Sequence, residues 1–179
     1  MVCDMMKYRV APLFPAPDGR PATGEPPVAT LVRWTFDPKG SSDSFSETPL
    51  DEHPGEFPRL DERYTALPYR HGWFQAGLIT DARRGRDARD LAHIDHASGA
   101  VGTWMPPAGD RCGEPVFVPR HVDAPEGDGF VLSVVFRAET QCSDLAVFDA
   151  QNLADGPLAL AHLSHRVPAG FHGNWRDAA

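Results

Sequence analysis

The sequence predicts an all-β fold, and three observations predict it. Short apolar runs with period-two alternation recur at about 8–15-residue spacing. Glycine and proline punctuate them, with 16 Gly and 18 Pro in 179 residues, proline being about twice as frequent as usual. No stretch of ten residues shows helical periodicity, and that much proline breaks helices by removing donors and clashing with the preceding turn. The pattern is that of a sandwich, barrel or propeller.

The elements follow in order. Residues 1–10 show no clear element, and residues 11–30 hold six prolines, so 1–30 reads as a Pro-rich connection. LVRWTFD (31–37) alternates Leu31, Arg33 and Thr35 with Val32, Trp34 and Phe36, a half-buried strand. PKGSSD (38–43) is turn chemistry, and SFSETPL (44–50) alternates again to close a hairpin. EFPRLDERY (56–64) is charged and not helical in pattern. GWFQAGLIT (72–80) reads as a strand and DARRGRDARD (81–90) as a solvated loop. Residues 90–107 give strand, turn at His96–Gly99, and strand. EPVFVPRHV (114–122) is a further apolar segment, and GFVLSVVFRAE (129–139) is the most strongly β stretch, since Val131, Val134 and Val135 are stiff at χ1. SDLAVFDAQNL (143–153) and PLALAHLSHRVP (157–168) complete the set as strands, with helix open for the first half of the last.

Composition excludes several function classes. A net charge of −8 repels phosphate backbones and argues against nucleic-acid binding. No apolar run approaches the ~20 residues needed to span a bilayer. Cys3, Cys112 and Cys142 are isolated, which fits neither a disulfide framework nor a zinc knuckle. Asp4 and the lack of an apolar run argue against a signal peptide, so the expected compartment is the cytoplasm.

Eight histidines invite a metal hypothesis. His93 and His96, like His162 and His165, have spacing that points the two rings to opposite faces of a strand. His71 lies in an expected loop, and His53 and His121 sit beside turns. His172 differs, because AGFHGNW (169–175) flanks it with Gly170, Gly173 and two aromatics; the alternative is a satisfied core histidine. Glu56 and Glu114 each sit between a glycine and an apolar segment, where a carboxylate is costly unless paired. Arg59 or Arg63 could pair with Glu56 and Arg120 with Glu114. The spacing from Glu56 to Glu114 equals that from Glu114 to His172, as a blade repeat with long loops would allow.

EFPRLDERY (56–64), GEPVFVPR (113–120), GFVLSVVF (129–136), LAVFDAQNL (145–153) and HRVPAGFHGNW (165–175) together resemble the C-terminal part of the carotenoid cleavage oxygenase family. The resemblance implies a seven-bladed β-propeller, present here as its C-terminal blades over residues 31–179 and incomplete. It implies ferrous iron held by four histidines whose free ring N–H groups are mostly accepted by glutamates. By motif, His172 is the last iron ligand, and Glu56 and Glu114 are two of those glutamates. The implied reaction is insertion of dioxygen across a conjugated double bond of a carotenoid, apocarotenoid or stilbene-like alkene, giving two carbonyl products. Trp34, Phe57, Phe117, Phe171 and Trp175 are candidates for core or tunnel lining. A lipid-like substrate leaves peripheral membrane contact open.

Only His172 matches a ligand motif, so the chain is expected to be a truncated member, inactive and weak in iron binding by itself. The alternative expectation is a non-catalytic β-rich fragment or partner-binding module. A cupin-like barrel is weaker, because no pair of short ligand motifs is present.

Overall fold

The computed structural model describes residues 1–8, 28–77 and 89–176. The described residues contain twelve strands and two single-turn 3-10 segments. The strands are β1 (Val2–Tyr8), β2 (Ala29–Phe36), β3 (Phe45–Asp51), β4 (Gly55–Leu60), β5 (His71–Ala76) and β6 (Asp90–Asp95). They continue with β7 (Ala100–Trp104), β8 (Arg111–Cys112), β9 (Val116–Pro119), β10 (Gly129–Phe136), β11 (Ser143–Asp149) and β12 (Ala159–His162). They form three antiparallel sheets in chain order: β1-β2-β3, then β4-β5-β6-β7, then β12-β11-β10-β8 with β9 also paired to β10. The all-β expectation holds, and three successive sheets are what part of a propeller provides.

The middle sheet is covered on both faces, which is why β5 and β6 read as near-continuous apolar runs. On one face Trp73 and Leu91 pack against Phe117, Val131, Val135 and Phe148 of the third sheet. On the other, Phe74, Ala76, Ala92 and Ile94 pack against Leu31 of the first. Trp73 stacks on Phe117 at 4.7 Å, and its indole N–H donates to the Ala150 carbonyl at 2.6 Å. Strand β10 forms where the β-rich run predicts it, and it alternates buried and half-buried residues along its whole length. Gly129 allows the close approach of β9, since a Cβ there would lie 2.2 Å from the Val118 carbonyl oxygen.

Three expectations need correction. The chain does not open without an element: Val2–Tyr8 is a strand, although it lacks alternation, because β2 offers it a full edge and Arg33 donates from Nε and Nη2 to the two Asp4 carboxylate oxygens at 2.7 Å. The Pro-rich residues 9–27 lie outside the described residues, as do 78–88 of the expected polar loop. His71 is not in a loop but opens β5 and is buried. In 157–168 only Ala159–His162 is strand, pairing with β11. No helix among the described residues is long and apolar enough to cross a membrane.

Candidate metal-ligand site

The site starts from an irregularity in β4. Glu56 pairs with Gln75 and Arg59 with Trp73, so three steps along β4 match two along β5. This bulge puts Glu56 and Arg59 on one face, where a regular strand would oppose them. Phe57 absorbs it with a left-handed φ of 54°, a sparsely populated conformation for a bulky residue.

Arg59 therefore reaches towards the third sheet. Its Nη1 donates to Glu114 Oε1 at 3.1 Å. Glu114, between β8 and β9, has a side chain only 5% exposed. The same Oε1 lies 3.1 Å from His172 Nδ1, and Oε2 accepts the Gly173 N–H at 2.7 Å. Arg59 Nη2 donates to Glu62 Oε1 at 2.7 Å and also to Asn174. Phe57 meets the His172 ring edge to face at 5.5 Å. A carboxylate oxygen accepts, so Nδ1 is the donor in this contact, and in the neutral ring Nε2 is then the nitrogen open to a metal.

A cavity of about 400 Å³ adjoins this cluster, lined among others by Phe57, Leu132, Phe136, Phe171, His172 and Trp175. Three of the five expected lining aromatics are there. Phe117 instead belongs to the core, and Trp34 clusters with Phe36 and Phe45 on the first sheet.

The structure thus brings Glu114 and His172 together and keeps Glu56 apart from them. Glu56 accepts from the Tyr8 hydroxyl on β1, and burial followed by that carboxylate raises the Tyr8 pKa well above its ordinary value. The expected ion pairs are also redistributed. Arg59, not Arg120, holds Glu114; Arg63 pairs with Asp61 at 2.6 Å and Arg120 with Asp128 at 2.8 Å.

The remaining histidines separate as their spacing predicts. His93 is buried against His71, while His96 lies 3.7 Å from Asp4 on the other side of β6. His162 hydrogen-bonds Asp144 at 2.7 Å. The His71–His93 pair was not legible in the sequence, since its members meet across β5 and β6; a histidine beginning an apolar run was the available signal.

As for a metal, His172 and Glu114 fit one imidazole ligand with a carboxylate on its second nitrogen. Among the described residues no three His, Cys, Asp or Glu converge on a common point. Among the described residues the cluster offers one imidazole nitrogen, not a full ligand set.

Comparison with known proteins places the chain in a family. A family model described as RPE65, retinal pigment epithelial membrane protein, matches residues 1–177. The chain is 42% identical to lignostilbene-alpha,beta-dioxygenase isozyme III of Sphingomonas paucimobilis, covering 94% of this chain and 36% of that protein. It is 34% identical to isoeugenol monooxygenase of Pseudomonas putida, over 99% of this chain and 38% of the relative. Among solved structures, the Pseudomonas brassicacearum lignostilbene dioxygenase superposes with a TM-score of 0.85 at 31% identity, covering 99% of this chain and 39% of that one. Cobalt-substituted Synechocystis apocarotenoid oxygenase gives 0.83 at 25% identity, over 99% and 36%. The chain spans less than two fifths of the length of these relatives. With the family model matched over residues 1–177 and the fold matched along nearly the whole chain, the chain belongs to the RPE65 family of carotenoid cleavage oxygenases.

Proposed function

We propose that this chain is part of a non-haem iron(II) dioxygenase that cleaves a conjugated C=C bond of a carotenoid, apocarotenoid or stilbene-like substrate. One alkene and one dioxygen become two carbonyl products, so every atom is accounted for. The carrying observation is the contact of Glu114 with His172 Nδ1, formed by residues 58 apart in sequence. The names of the relatives support the substrate class: a lignostilbene dioxygenase, a resveratrol cleavage oxygenase and an apocarotenoid oxygenase.

In this reading His172 is one iron ligand, through Nε2. Bound iron supplies the coordination positions at which dioxygen is activated. Glu114 holds the ring proton at Nδ1 and fixes the ring plane. The apolar walls of the adjoining cavity, Leu132, Phe136 and Phe171, offer an apolar alkene its contact surface. Glu56 is the second glutamate of the reading, available to another histidine ligand if Tyr8 releases it. The three cysteines are free, which supports a reducing, cytoplasmic setting.

The second reading is a non-catalytic β-rich module, favoured for the chain by itself because no three possible ligands converge among the described residues. Assay of the complete gene product separates the two. Loaded with iron and given a stilbene or an apocarotenoid with dioxygen, it should yield two carbonyl products per alkene consumed. An iron-loaded, folded protein that cleaves neither class would sink the first reading.

A further inference from the structure

The ring of His172 is poorly held by packing. Its side chain is 72% exposed, with Phe57 on one edge. Its orientation therefore depends on Glu114, and Glu114 in turn depends on Arg59. That guanidinium comes from the bulge of β4, 55 residues before Glu114 and 115 before Asn174. It joins three separate pieces of chain: Nη1 donates to the carboxylate oxygen that also faces His172, and Nη2 donates to Asn174, two residues beyond the histidine. A planar fork with donors fixed relative to one another suits this task, and a lysine does not reproduce it.

We propose that Arg59 is a positioning residue for the metal site: by bridging Glu114 and Asn174 it fixes the carboxylate that holds His172 in its Nδ1–H form, with Nε2 left to ligate. This rests on the proposed role of His172 as a ligand. Without Arg59, Glu114 is a nearly buried carboxylate whose described partners are the His172 ring and one backbone N–H. It is then free to turn, and the exposed imidazole with it. The bulge at Phe57 thus has a purpose, since it puts Arg59 on the face where Glu114 lies.

The test uses the complete gene product labelled with nitrogen-15 histidine. In the metal-free protein, the His172 ring signals, assigned by their loss in His172→Gln, report the tautomer. The wild type should show Nδ1–H alone. Arg59→Met should show mixed tautomers, and its affinity for Co²⁺ should fall about 10–100-fold, the usual loss when the group orienting a metal ligand is removed. Arg59→Lys should recover part of both. Arg120→Met, which removes a surface guanidinium paired with Asp128 and Asp149, should change neither. Should Arg59→Met fail to fold, Arg59→Gln makes the same comparison. A folded variant that keeps a single Nδ1–H tautomer and binds Co²⁺ within twofold of wild type would overturn the proposal. The ligand reading fails separately, if His172→Ala binds Co²⁺ as tightly as wild type; the metal-free tautomer still decides the role of Arg59.

Discussion

His71 Nδ1 lies 2.9 Å from His93 Nε2, and the two buried rings are nearly parallel, 24° apart. One nitrogen must donate and the other accept, so at least one ring is neutral. His93 also stacks on Trp73, and Gly127 presses on the His71 ring so closely that a Cβ there would lie 2.5 Å away.

This pair makes stability depend on pH. Burial first, then His71 beside it, pushes His93 down to about 4, and burial also lowers His71 against the opposing pull of Glu126. Between pH 6.5 and about 4 the unfolded chain takes up protons that the folded protein refuses. Stability is thus fully present above 6.5 and lost as pH falls towards 4, by at most about 3 kcal/mol for the full shift of His93. Thermal melts across that range should show the decline, and His93→Phe, which keeps the stack on Trp73, should flatten it. An unchanged slope in His93→Phe would contradict this account.

Arg137 bridges two nearly buried carboxylates, Asp110 at 2.9 Å and Asp144 at 2.6 Å. Removing it leaves both without their cation, a change that costs about 3–5 kcal/mol at buried pairs. Denaturant titration should show Arg137→Ala destabilised to that extent. Arg137→Lys should recover part of the loss, since it keeps the charge and loses the fork. A midpoint for Arg137→Ala equal to that of wild type would refute the assignment.

Glu114→Gln keeps the shape of the side chain and discards its charge. It weakens both the Arg59 ion pair and the hold on His172 Nδ1. Metal titration should show a loss of affinity of about 10–100-fold, with the fold retained by circular dichroism. An affinity equal to wild type would mean that Glu114 is structural only.

The 179-residue chain by itself should self-associate. Strand β3 and strand β12 are exposed, and Leu158, Phe171 and Trp175 are more than half exposed. Open strand edges beside apolar surface template intermolecular pairing. Light scattering should detect oligomers or aggregates, whereas a metal-free monomer with a sharp cooperative melt would contradict the prediction.

Much of the fold was legible because alternation is a local signal. GFVLSVVF becomes β10 as its β-branched residues predict, and LVRWTF pairs with the FSETPL run as a hairpin. β1 was not legible, because VCDMMKY has no alternation and is a strand through its partner. The region of Glu114 and His172 was legible through the motifs around it. Arg59 as their common partner was not, because it depends on a one-residue bulge that reverses which face Arg59 occupies. Nor was the Glu56–Tyr8 contact, since the intervening Pro-rich stretch carries no periodicity.

The central claim is that His172 ligates iron, and metal content tests it most directly. The complete gene product and its His172→Ala variant, purified in parallel under ferrous loading, should differ: near one iron per wild-type protein and a marked loss in the variant. Equal iron content and equal affinity in both would contradict the account.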